Sequence, residues 1–90
     1  MKEGDLQVFK YFLESYFNMS ADYDELEELI NNFISSEKPQ LRQQLKQELV
    51  QIQKTEEWDA IKEYIRLHGM RRMDDERIRW FIQQILSNLN

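Results

Sequence analysis

The chain has no cysteine, one proline and two glycines in ninety residues. Without cysteine there is no disulfide framework, no thiol nucleophile and no thiolate metal site, a pattern that fits a reducing compartment. A sandwich or barrel of short strands needs a turn roughly every ten residues, and Gly4, Pro39 and Gly69 cannot supply them. Two glycines also exclude a glycine-rich phosphate loop. No apolar run approaches the length of a membrane span. The opening Met1-Lys2-Glu3-Gly4-Asp5 is polar and acidic, unlike a signal peptide. The expectation is a cytoplasmic protein with no cofactor and no membrane contact. It should form one helical domain over residues 1–90, since so short a chain has no room for two cores.

What is present is helical periodicity. The composition, 41% hydrophobic and 32% charged, suits a folded chain. Phe9, Phe12, Leu13, Tyr16 and Phe17 recur at helical steps, with Asp5 as N-cap. Leu26, Leu29, Ile30, Phe33 and Ile34 form a second stripe, entered through Asp22 or Asp24. Ser35-Ser36-Glu37-Lys38-Pro39 is the clearest break, and Pro39 suits the first turn of a third helix, roughly 39–54, seamed by Leu41, Leu45, Leu49 and Ile52. Thr55 reads as the cap of a fourth helix carrying Trp58, Ile61, Tyr64, Ile65 and His68 on one face. Gly69 sits where a left-handed stop is wanted, with Met70 placed to fold back on the last turn. Asp74 or Asp75 caps a fifth helix striped by Ile78, Phe81, Ile82, Ile85 and Leu89. The fold class is all-α, a compact antiparallel bundle of four to five helices.

The charge is lopsided. The net value is −5, but residues 1–37 hold nine acids against two bases, net −7, while residues 38–90 hold eight acids and ten bases, net +2. Such asymmetry aims a surface field at something, and its sign disfavours a phosphate backbone as the partner. Five acids fall within seven residues: Asp22, Asp24, Glu25, Glu27 and Glu28. At about 100° per residue, Asp24, Glu28 and Asn31 lie opposite the Leu26 stripe. No base sits on this helix to neutralise them. The face reads either as solvated surface or as a docking surface for a basic partner, and the missing lysines favour docking. Asp22-Tyr23-Asp24 opens like a calcium loop, but the central glycine and twelve-residue spacing are missing, so no metal is expected.

Catalysis is not expected. The only histidine, His68, lies on an apolar face beside a helix end, and no serine sits in a nucleophile context. Arg66, Arg71, Arg72, Arg77 and Arg79 form a basic cluster interrupted by Asp74-Asp75-Glu76. With Trp80 it marks an alternative: a helical regulator or adaptor that self-associates or binds nucleic acid. Trp80 and Tyr11 both fall about 200° from their own core stripes, and exposed aromatics anchor interfaces. Tyr11, Arg72 and Trp80 are therefore the residues of that alternative interface.

The order of features resembles the small immunity proteins of bacterial contact-dependent growth inhibition systems. It runs from Tyr16-Phe17 through Tyr23-Asp24 to Phe33, then Glu37-Lys38-Pro39, a Leu-rich helix, Gly69 and Trp80-Phe81 with Ile85. The resemblance implies a non-enzymatic protein that binds a cognate toxin C-terminal domain, often a nuclease, as a monomer in a 1:1 complex, with no nucleic acid of its own. The family pattern names no contact residues. The helical wheel assigns them: Asp22, Asp24, Glu25 and Glu28 for the field, Tyr23 and Asn31 as contacts.

Overall fold

The structure, a computed structural model, describes residues 6–18 and 21–89. Five α-helices form an all-α fold: α1 Gln7–Ser15, α2 Leu26–Ser36, α3 Pro39–Thr55, α4 Trp58–Gly69 and α5 Asp75–Leu89, with a 3-10 turn at Tyr23–Glu25 leading into α2. No strand occurs among the described residues. The apolar stripes meet in one core. Phe9, Phe12, Leu13 and Phe17 are buried with Ile30, Phe33, Leu45, Leu49, Ile52, Ile61, Ile65 and the whole α5 stripe. Phe33 stands edge-on to Phe12 and Tyr16, at 5.6 and 5.4 Å between centroids, the geometry that ring quadrupoles favour.

The caps show how each helix is closed. Lys38 precedes Pro39, which occupies the first turn of α3 as its fixed φ allows. Asp74 caps α5 by accepting the Arg77 N–H at 2.8 Å. Asp5, expected to cap α1, lies outside the described residues. The first-turn donors of α1 find a distant partner instead: Glu48 of α3 accepts the Phe9 N–H at 2.8 Å and the Val8 N–H at 3.2 Å. Nearer the start of α3, Arg42 donates through Nε and Nη2 to the Leu89 carbonyl, 2.8 and 2.5 Å away. An acid thus meets a helix N-terminus and a base a helix C-terminus, as the peptide dipoles require.

Two expected caps are corrected. Thr55 does not cap α4; it is the last residue of α3, and its hydroxyl donates back to the Ile52 carbonyl at 3.3 Å. Glu56, left-handed at φ 53°, ends that helix. Nor is Gly69 the left-handed stop. Gly69 is helical and buried, and Met70 carries the positive φ of 55° with its side chain 61% exposed. A Cβ on Gly69 would meet Leu13 Cδ2 at 3.4 Å, an ordinary contact, so α4 continues through this position and the left-handed turn falls one residue later.

Contacts fix the directions of the elements. Leu6 and Phe9 meet Tyr64, while Glu14 meets His68, so α1 and α4 run side by side in one direction. Arg42 meets Leu89 and Gln53 meets Gln83, so α3 and α5 run oppositely.

Candidate functional site

The acidic stretch is built on a capping turn. Asp22 is extended and forms a capping box with Glu25, whose Oε1 accepts the Asp22 N–H at 3.1 Å. This reciprocal pairing stops the chain and starts it again as a helix. It leaves Asp22, Asp24, Glu25, Glu27, Glu28, Asn31 and Asn32 exposed, while Leu26, Ile30 and Phe33 turn inward. Of the six residues assigned from the wheel, only Tyr23 is half-buried. Among the described residues no basic group lies within ion-pair distance of Asp24, Glu27 or Glu28. No group of three or more Asp, Glu or His there could hold a metal ion.

Tyr23 connects this face to a second one. Its ring packs 5.6 Å from Phe17 and meets Trp80 of α5 edge-on at 5.7 Å. The Arg77 guanidinium lies over both rings, 4.5 Å from Tyr23 and 4.9 Å from Trp80. Arg71 also lies against Tyr23, 5.0 Å from its ring and 4.3 Å from that of Phe17, and its Nη2 donates to the carbonyls of Asn18, at 3.0 Å, and Ala21. Trp80 nevertheless stays 37% exposed, in a shallow depression lined by Asp74, Glu76 and Arg77.

The other interface residues do not join it. Tyr11, 40% exposed, donates its hydroxyl to Glu37 Oε2 at 2.7 Å, and Tyr16 donates to the same oxygen at 2.6 Å. Glu37 follows α2 and Tyr23 precedes it, so Tyr11 and Trp80 lie a helix length apart, about 16 Å at 1.5 Å per residue. Burial and the Glu37 bond push the Tyr16 hydroxyl up to about 12. The bond to Glu37, then burial, raises that of Tyr11, and the two phenols hold the Glu37 carboxyl below its usual range. Arg72 is exposed beside Glu63.

The arginines of 66–79 disperse rather than align. Arg66 pairs with Glu63, Arg71 holds carbonyls, Arg77 stacks on Tyr23 and Trp80, and Arg79 lies 5.3 Å over Trp58. His68 joins α4 to α1, with Nδ1 3.1 Å from Glu14 Oε2 and its ring 4.5 Å from Tyr64. Sequence reasoning missed Arg77 as a partner of Tyr23, although its place three residues before Trp80 puts the two on one helix face.

A protein-family model described as CdiI immunity protein matches residues 5–87. The chain belongs to that family. No curated protein and no solved structure matches it. As a CdiI immunity protein it serves to neutralise a toxin, its partner is a protein, and the family is not generally enzymatic. Among the described residues of this CdiI protein no helix is long and apolar enough to cross a membrane.

Proposed function

We propose that this CdiI protein acts in the cytoplasm and neutralises the nucleolytic C-terminal domain of a cognate toxin by stoichiometric occlusion, one monomer per toxin domain. The exposed carboxylates of Asp22, Asp24, Glu25 and Glu28, unopposed by any base on α2, carry this reading. A nuclease that grips a phosphate backbone presents a basic cleft. Carboxylates fixed on a helix face substitute for phosphates there and block substrate entry. Exposed charges set the on-rate and its salt dependence, while Tyr23 and Asn31 supply contacts that slow dissociation.

The test expresses the C-terminal domain of the product encoded immediately upstream, with and without this protein. Growth rescue and a 1:1 complex on a sizing column are the expected result. Asp24→Lys with Glu28→Lys should weaken binding at least about tenfold at low ionic strength and flatten its salt dependence. Unchanged affinity would remove the acidic face from the mechanism. Toxicity that the folded protein does not relieve would remove the immunity pairing itself.

A further inference from the structure

Trp80 stands off the core stripe of α5, which buries Ile78, Phe81, Ile82 and Ile85. Such an indole would ordinarily be left to solvent or wrapped by a loop. Here it is neither. Tyr23 braces its edge at 5.7 Å and Arg77 stacks against it at 4.9 Å, yet more than a third of its surface stays open. Leu67 and Met70 are also exposed but are not aromatic, and the hydroxyl of the exposed Tyr11 is already held by Glu37. A large aromatic already held in one orientation loses little conformational entropy when a partner covers it. That is the property of an interface anchor.

We propose that the ledge formed by Tyr23, Arg77 and Trp80 is the anchor of the toxin interface, and that it receives a lysine or arginine side chain of the toxin domain. The proposal rests on the reading of the partner as a basic cleft. The apolar stem of the incoming side chain lies on the open part of the indole, and its charged head reaches Glu76 and Asp74 at the rim of the depression. Charge complementarity commits the occupant. Asp22 and Asp24, both exposed, adjoin Tyr23 in the chain, and Asp74 and Glu76 line the depression beside Trp80. The two cations at its centre are both spread over ring faces, Arg77 over Tyr23 and Trp80 and Arg71 over Tyr23, so the four acids outnumber them. The inhibitor surface is therefore not confined to α2. It continues through the Tyr23–Trp80 contact onto the first turns of α5, with an aromatic centre and an acidic rim.

The experiment uses the full chain and the C-terminal domain encoded upstream, with affinity measured by calorimetry. Trp80→Ala should weaken binding about tenfold or more, and Glu76→Lys should weaken it and alter its salt dependence. Circular dichroism and melting of each variant report whether it is folded. Trp58→Phe leaves Trp80 as the only tryptophan, and its emission should shift to the blue on complex formation. Wild-type binding with Trp80→Ala within about twofold, and no emission shift, overturns the ledge while leaving the acidic face of α2 standing. Failure of the wild-type protein to bind overturns both readings.

Discussion

The Glu48 carboxylate of α3 receives the backbone N–H of Phe9 at 2.8 Å across 39 residues of sequence. Glu48 is only 6% exposed, and Gln44 donates to it at 3.0 Å from the preceding turn. A buried carboxylate is costly unless its lone pairs are used. Here two helix-terminal N–H groups and an amide use them. Arg42 performs the opposite task six residues earlier, at the end of α5. One helix therefore ties down the first turn of the fold and the last.

Removing that acid should destabilise the protein selectively. Glu48→Ala leaves the Val8 and Phe9 N–H groups without their acceptor, an expected loss of about 2–4 kcal/mol. Glu48→Gln, which keeps one oxygen acceptor, should lose about half as much. Urea unfolding gives both values. Amide exchange should show the added opening concentrated in the first turn of α1 for Glu48→Ala and in the last turn of α5 for Arg42→Ala. A Glu48→Ala midpoint equal to wild type would refute the cap.

Position 70, not position 69, should respond to glycine. Met70 has a left-handed backbone, which costs a residue bearing a Cβ about 1–2 kcal/mol. Met70→Gly is expected to gain about 0.5–1 kcal/mol, since glycine's own chain entropy offsets part of the relief. Gly69→Ala leaves a helical backbone intact and brings its methyl group into ordinary contact with Leu13 Cδ2, so stability should change little. Paired thermal melts decide between this assignment and one that makes Gly69 the helix stop, which requires Gly69→Ala to be strongly destabilising.

The cluster of Glu37, Tyr11 and Tyr16 sets two pH limits. The Glu37 carboxyl is depressed in the folded protein, so its contribution is present above the ordinary carboxylate range and is lost as pH falls through the folded value. Tyr16 is raised, so its contribution is complete below about pH 10 and disappears as pH rises toward about 12. Melting temperature should therefore decline at both extremes. Tyr16→Phe should weaken the alkaline decline and return the Glu37 carboxyl toward its usual range. Ultraviolet titration of the phenols should show one group ionising near 12 in the wild type and missing from that variant. Identical alkaline melting curves for the two proteins would exclude the Tyr16 contribution.

The five helices were legible because the core is made of stripes. Phe12, Ile30, Leu49, Ile65 and Phe81 each lie at the helical spacing that a buried face imposes, and all five are buried. Pro39, and an acid at position 74 or 75, were legible for a related reason: a proline in a first turn and an acid at an N-cap act within one turn of chain, and the structure takes Asp74. The exposed acids of residues 22–28 also follow from sequence, since their own helix offers no cation.

What sequence could not carry depends on residues far apart in the chain. Glu48 lies at the edge of the Leu45–Leu49 seam, where a wheel places it near the apolar face, but only the docked N-terminus of α1 makes it a cap. Gly69 looked like a stop because helix ends favour glycine, whereas α4 runs on through it beside Leu13 and turns only at Met70. Tyr23 and Trp80 belonged to separate candidate surfaces, 57 positions apart in the sequence, until α2 and α5 packed together. Periodicity along one chain segment determines which face of a helix turns inward, because burial acts on each turn alike. Which helix ends meet, and which exposed side chains become neighbours, is decided only when the cores of different segments are sealed against one another.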